Sequence, residues 1–258
     1  MTAAGFYVSR SNPGKRLRVE RAFDSYRCAG SVPGSMIEIS QLQFRYAEGE
    51  FRLALDELSV DAGESMAVIG PSGTGKTTLL NLISGVAVPE SGEVRTKGVK
   101  VSSLGERARS DFRIQNIGLI FQEFELLEYL NVRDNILLPY RISGPLRLDA
   151  DVRGRAEELA ASLGIADKLG RYVRQLSQGE RQRVAICRAL LPDPELILAD
   201  EPTGNLDPVN TDKVLDIIFD YVGEKGATLV AVTHELHLLE RFGRTLDFAD
   251  LIATGSHA

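Results

Sequence analysis

The run Gly70-Pro71-Ser72-Gly73-Thr74-Gly75-Lys76-Thr77 constrains this chain more than any other feature. It fits the phosphate-loop pattern G-x-x-x-x-G-K-[ST] at every position. Apolar Met66-Ala67-Val68-Ile69 precedes it, and Thr78-Leu79-Leu80-Asn81-Leu82-Ile83 follows with helical character. The predicted order is therefore strand, loop, helix. Successive backbone N–H groups in such a Gly-rich turn can wrap the concentrated negative charge of a triphosphate. The helix opening after Gly75 points its positive end at the same charge. Lys76 adds a point charge for the β and γ oxygens, and the Thr77 hydroxyl suits Mg²⁺. Gly70, Ser72, Gly73, Thr74, Gly75, Lys76, Thr77 and Thr78 form the candidate ATP-binding set. An ordinary Gly-rich strand-to-helix turn is the plainer reading, and the full match in this context argues against it.

Bulk properties narrow the class. A chain of 258 residues suits one large domain, or a core with a subdomain. A hydrophobic share of 43% is that of a soluble globular protein. The net charge of −6 gives a nucleic-acid partner no support. Cys28 and Cys187 lie far apart and match no metal or redox spacing, which fits idle thiols in a reducing compartment. No apolar run approaches the roughly 18 residues needed to span a bilayer, and the N-terminus has no apolar signal region. The expectation is a cytoplasmic protein whose contact with a membrane comes through a partner.

Residues 1–35 read differently from the rest. Arg10, Lys15, Arg16, Arg18, Arg21 and Arg27 outnumber Glu20 and Asp24 among scattered Gly, Ser and Pro. The expectation is a disordered basic extension, with an anionic membrane surface as an alternative role. Met36 as the functional start is a further alternative.

From Met36 the pattern is regular. Met36–Ile39 and Leu42–Tyr46 alternate as strands do, Phe51–Val60 reads as another strand, and Asp61–Glu64 as a turn. Ile117–Phe121 is a short buried strand. Asn131 is a candidate helix N-cap with Asp134 three residues on. Val152, Ala156, Leu159, Ala160 and Leu163 share a helical face. Leu196–Ala199 and Thr228–Val232 are continuous apolar runs, as central parallel strands require. The order implies an α/β core with a helical insertion at about 126–175.

Four further sites carry chemistry. Leu196-Ile197-Leu198-Ala199-Asp200-Glu201 is an apolar strand ending in two carboxylates. Asp200 can hold Mg²⁺, and Glu201 can activate water as a general base. Gln122, directly after the Ile117–Phe121 strand, can contact metal and water. His234 follows the Thr228–Val232 strand, at the end where open α/β sheets place ligands. Leu176-Ser177-Gln178-Gly179-Glu180-Arg181-Gln182 opens a helix capped by Ser177, a second anion site. One chain has little use for two phosphate-binding devices. A head-to-tail dimer does, with each Ser177 end closing over ATP on the partner's loop.

These motifs, in this order from about 46 to 234, resemble the nucleotide-binding subunits of ATP-binding cassette (ABC) transporters. The resemblance implies a P-loop NTPase (RecA-like) α/β fold. Its central sheet would be mostly parallel, with an antiparallel β subdomain and an inserted helical subdomain, all within 36–258. It implies Gln122, Glu201 and His234 as catalytic residues and Thr77, Gln122 and Asp200 as the Mg²⁺ set. Ser177, Gln178, Gly179, Glu180 and the Asp207 of Gly204-Asn205-Leu206-Asp207 would be contacts made to the partner's ATP. Tyr46 stands where the family places an adenine-stacking aromatic; a strand tyrosine in the core is the other reading. Gln178 replaces the usual first glycine of the signature, while Ser177 and Gly179 remain.

Phe121–Leu127, Asn131–Pro139 and Leu198–Asp207 are similar to the lipoprotein-releasing, macrolide-export and cell-division ABC ATPases. The implied partners are a second copy of the chain and an integral membrane permease, at the cytoplasmic face of the inner membrane. Phe124, Leu126, Leu127, Tyr129 and Leu130 are candidates for a groove receiving a permease helix, or else for the core. Two other readings stand beside this one: regulation of a membrane-anchored cell-wall hydrolase without transport, and a soluble non-transport ABC ATPase. Against the second, about a hundred residues without heptads separate the two phosphate motifs, and one cassette is present.

Overall fold

A computed structural model describes residues 34–204, 206 and 208–249. Cys28, Asp207 and nearly all of the 1–35 extension lie outside the described residues.

Two sheets carry the fold. The first is antiparallel, with β1 (Ser35–Arg45), β2 (Arg52–Asp61), β4 (Ser91–Thr96) and β5 (Val99–Lys100) in the order β2-β1-β4-β5. The second is parallel throughout. It holds β3 (Ser65–Ile69), β6 (Ile117–Ile120), β7 (Leu196–Asp200), β8 (Thr228–Val232) and β9 (Arg244–Asp247) in the order β6-β7-β8-β3-β9. Helices connect these strands: α1 (Lys76–Ile83), α2 (Glu106–Asn116), α3 (Val132–Ile136), α4 (Leu138–Ile142), α5 (Ala150–Ser162), α6 (Gln178–Leu190) and α7 (Pro208–Lys225). Between 126 and 175 the regular elements are all helical, apart from one isolated bridge between Asn131 and Tyr172.

The parallel strands are apolar because both of their faces are covered, and strand alternation divides them between two cores. Leu196, Leu198, Val230, Val232, Met66 and Val68 pack with α1 and the antiparallel sheet. Ile197, Ala199, Leu229 and Ala231 point the other way, into a core with α3, α5, α6 and α7. Cys187 of α6 is fully buried in that second core, and burial pushes its thiol up to about 12. It is a packing residue with almost no reactive thiolate at neutral pH.

The sequence shows two alternating runs, Met36–Ile39 and Leu42–Tyr46, where the structure has one strand. A bulge accounts for the break in phase. Ile39 and Leu42 are both buried, with Ser40 and Gln41 exposed between them. Gln41 has φ 47°, and the pairing of β1 with β4 shifts between Ser40 and Gln43. Gly92 of β4 lies against this bulge with φ 87°, and a Cβ there would stand 2.2 Å from the Gln41 carbonyl oxygen. Neither atom is the end of a flexible side chain, so the backbone itself must give. Gly92→Ala should therefore cost about 1–3 kcal/mol, read as a lowered thermal midpoint in a melt monitored by circular dichroism.

Candidate nucleotide site

Strand register assembles the site. Asp200 pairs with Val232, Val232 with Val68, and Ala199 with Ile120, so the carboxyl ends of four strands form one row. One or two residues beyond that row lie Gly70, Gln122, Glu201 and His234. The edge of a parallel sheet thus collects residues distant in sequence where α/β folds bind ligands.

Lys76, Thr77 and Asp200 meet directly. Lys76, a residue only 8% exposed, donates from its ammonium to Gly70 O at 2.8 Å and Pro71 O at 2.7 Å. The Thr77 hydroxyl donates to Asp200 Oδ2 at 2.7 Å. Burial raises the Asp200 carboxyl above its ordinary value, the Thr77 bond and Lys76 oppose this, and Glu201 adds to it. A carboxylate in that position gains from a cation.

The loop has the geometry of an anion cradle. Gly70, Gly73 and Gly75 have φ of 140°, 79° and 108°. Gly75 is confined further, since a Cβ there would lie 2.6 Å from Phe51 Cζ. Gly75 is also the N-cap of α1, and no side chain caps that end. Its first-turn N–H groups are therefore available to a ligand's oxygens. Ser72 and Gly73 are exposed, Thr74 Oγ1 donates to Pro71 O, and buried Thr78 shares a 3.0 Å hydrogen bond with the Tyr46 hydroxyl. Tyr46 is 43% exposed, with its ring edge-on to Phe44, so it is not a core tyrosine. These residues fit a triphosphate with Mg²⁺. Among the described residues no group of three His, Cys, Asp or Glu side chains could hold a metal. Mg²⁺ needs none, because it takes one or two protein oxygens and substrate phosphates.

Glu201 and His234 also meet. Glu201 has φ 46°, and its carboxylate Oε1 lies 3.4 Å from His234 Nδ1. The turn is held by Glu201 N–H on Val232 O and by Gly204 N–H on Glu201 O. Beside it, Thr203 Oγ1 donates to Glu235 Oε1 at 2.7 Å, joining the segments after β7 and β8.

The Ser177 end of α6 is a separate group. Ser177 Oγ accepts from Glu180 N–H at 3.3 Å, and Glu180 Oε2 accepts from Ser177 N–H at 2.8 Å, a reciprocal capping box. The Glu180 carboxyl is lowered, first by that backbone bond. Its carboxylate is turned back on its own helix and toward Lys168 at 3.6 Å. Among the described residues, no hydrogen bond or ion pair joins Ser177, Gln178, Gly179 or Glu180 to the loop after β3.

Gln122 is exposed at the start of a turn that the sequence does not announce. Phe124 and Glu125 are both left-handed, at φ 63° and 49°. Each such non-glycine residue costs roughly 1–2 kcal/mol. Arg188 of α6 holds them, with Nη1 donating to Glu125 O and Nη2 to Phe124 O at 2.6 Å. Hydrogen bonds from a charged donor contribute about 1.5–3 kcal/mol each, enough to offset the strain. Asn135, fully buried, clamps the next stretch: its Oδ1 accepts from Leu127 N–H and its Nδ2 donates to the carbonyls of Leu127, Leu130 and Asn131. Asn131 itself caps α3, accepting from Asp134 N–H at 2.7 Å.

Next to this turn lies an apolar groove of about 220 Å³ between α2, β6, α4 and α6, lined by Ile117, Phe121, Pro139, Ile142 and Arg188 among others. Phe124, Leu126, Leu127, Tyr129 and Leu130, the candidates for a permease groove or for the core, are not among its walls. Phe124 is buried, Leu126 packs on the core, and Tyr129 projects 74% exposed.

Comparison with known proteins gives the family. The family described as ABC transporter matches residues 54–204. The chain belongs to the ABC transporter family. It is 42% identical over 215 residues to an uncharacterized ABC transporter ATP-binding protein of Mycobacterium tuberculosis, covering 82% of this chain and 86% of that one. It is 41% identical to the lipoprotein-releasing system ATP-binding protein LolD of Geobacter metallireducens, covering 84% and 96%. Among solved structures it is similar to the dimeric ATP-binding cassette MJ0796 in a post-hydrolysis state bound to ADP and Pi. That similarity has a TM-score of 0.74 and 31% identity, covering 83% of this chain and 95% of that one. The chain is thus an ABC transporter ATP-binding subunit with the α/β fold of a P-loop ATPase.

Asn135 gives the site's simplest test. Asn135→Leu keeps the volume but strips partners from the Leu127 N–H and from the Leu127 and Leu130 carbonyls. A buried polar group left unpaired costs about 1–3 kcal/mol. Faster amide exchange centred on 127–131, with a lowered denaturation midpoint, is the expected result.

Proposed function

We propose that the chain is the ATP-hydrolysing subunit of a transporter complex, and that it dimerises on ATP to drive a separate transmembrane permease. The observation that carries this reading is the convergence of Lys76, Thr77, Asp200, Glu201 and His234 on one sheet edge, with the second phosphate-binding end, Ser177, standing apart. Backbone amides of 72–77 and the Lys76 ammonium bind the phosphates, and Tyr46 stands beside them for the adenine. Thr77, Asp200 and Gln122 would hold Mg²⁺. When bound, the ion neutralises charge on the phosphate oxygens. Glu201 takes the proton of the attacking water, and His234, beside its carboxylate, orients the γ-phosphate. Ser177, Gln178, Gly179 and Glu180 of a second copy close the site. Asp207, which lies outside the described residues, would link the two sites across the interface.

The dimer argument is geometric. A helix end that keeps to itself in one chain has a use at the phosphates of another. The permease argument is one of chemistry: the groove beside Gln122 is apolar and flanked by Ile142, which is 65% exposed. An amphipathic helix from a membrane protein fits such a groove. Among the described residues no helix is long and apolar enough to cross a membrane. The proposed location, which follows from membership of the ABC transporter family, is the cytoplasmic face of the inner membrane, reached through the permease. The proposed domain division is an extension over 1–35 and one nucleotide-binding domain over 36–258, with its helical subdomain at about 126–175.

Glu201→Gln should bind ATP and form a stable dimer by light scattering, with hydrolysis slower by about 10²–10⁴. Near wild-type turnover would remove Glu201 from the base role. The same variant, used as bait in detergent-solubilised membranes with and without ATP, should recover one integral membrane protein. Recovery of soluble proteins alone would count against the permease. The fold of the membrane protein recovered separates a transporter from a regulator of a cell-wall hydrolase.

A further inference from the structure

Arg188 touches three parts of the machinery. It sits on α6, about three helical turns from Ser177. Its guanidinium fork takes the carbonyls of Phe124 and Glu125, two and three residues past Gln122. It also lines the apolar groove, together with Glu125 and Phe121. Burial pushes the guanidinium down to about 10 while the nearby Glu125 carboxylate raises it, so it stays charged at neutral pH.

We propose that Arg188 is the positioning residue for Gln122, tying the turn that carries Gln122 to the helix that begins at Ser177. Three observations support this. Phe124 and Glu125 are consecutive left-handed residues, a conformation that relaxes unless something outside the turn holds it. The holder is a planar fork with two parallel donors, matched to two adjacent carbonyls; a lysine ammonium cannot reproduce that match. The middle of α6, at Val184, Ala185, Ile186 and Cys187, is fully buried, so the helix moves as a body with its core. A shift at the Ser177 end, or in the groove's occupant, therefore has a polar route through Arg188 to the turn that follows Gln122. The inference rests on the reading of Gln122 given above.

The test is steady-state ATPase kinetics on the full chain carrying Arg188→Ala, Arg188→Lys, Gln122→Ala, or Arg188→Ala with Gln122→Ala. Displacement of a catalytic group by about 1 Å from a distance can cost on the order of 10²-fold. Arg188→Ala should therefore lower kcat about tenfold or more, with the KM for ATP changed far less. Arg188→Lys should fall between. The double variant should be no slower than Gln122→Ala alone, because both changes remove one function. Amide exchange at 124–127 should quicken in both Arg188 variants. Guanidinium ion at non-denaturing concentration should partly restore kcat to Arg188→Ala, and methylammonium should not. If Arg188→Ala does not fold, Arg188→Lys carries the same comparisons.

An unchanged kcat alongside quickened exchange would overturn the proposal, since the turn would then be loosened without consequence. Multiplying losses in the double variant would overturn it as well, showing two independent roles. Gln122→Ala with normal kcat would instead remove the reading of Gln122 itself, and the proposal with it.

Discussion

The register of the parallel sheet is the constraint on which the rest depends. Asp200, Val232 and Val68 share a row only because β7, β8 and β3 pair as they do. A slip of one residue in β7 would turn Asp200 to the other face and remove it from Thr77. Packing on both sides prevents the slip. Leu196 and Leu198 fit one core while Ile197 and Ala199 fit the other, so a displaced strand would exchange large and small side chains in both cores at once. The chemistry at the edge is thus held by apolar contacts below it, which touch neither phosphate nor water.

Helix α6 links the parts that the sheet leaves separate. Its first turn is satisfied by the Ser177–Glu180 capping box, its middle is core, and its last turns hold the segment after Gln122 through Arg188. The helix is therefore anchored at both ends by polar groups and along its length by burial. Motion that preserves the core must carry the helix whole. If the Ser177 end binds phosphate as proposed, a rigid connection of this kind lets occupation of one end be felt near the other.

Much of this was legible in the sequence, and the exceptions share a cause. The phosphate loop, the four apolar strands and the Asn131 cap are local patterns in which a few neighbouring residues decide the conformation. Asp200, Glu201, Gln122 and His234 could be placed at strand ends because continuous apolar runs locate those ends. The left-handed turn at Phe124 and Glu125 was hidden, since its cause is an arginine some sixty residues away. The apolar groove has no signal in the sequence for the same reason: its walls come from α2, β6, α4 and α6, which only the fold brings together. Helix α2 carries little apolar periodicity, because none of its residues is buried. Asn135, the clamp of its loop, sits in no local pattern that marks it, because its partners are backbone groups that only the folded loop brings to it.

Electrostatics ties the two halves of the proposed ligand together. Lys76 is a buried residue whose ammonium is bonded to two loop carbonyls, so taking up a phosphate exchanges hydrogen bonds already made within the loop. Asp200 is in the opposite position. Burial disfavours its charge, and one hydroxyl bond with a nearby lysine offsets only part of that penalty. A divalent cation beside Thr77 would relieve the carboxylate, while phosphate oxygens would complete the cation's shell. Each half therefore improves the site for the other. On that account the nucleotide and the metal should bind cooperatively, and Asp200→Asn should weaken Mg²⁺-dependent ATP affinity far more than affinity measured with the metal chelated.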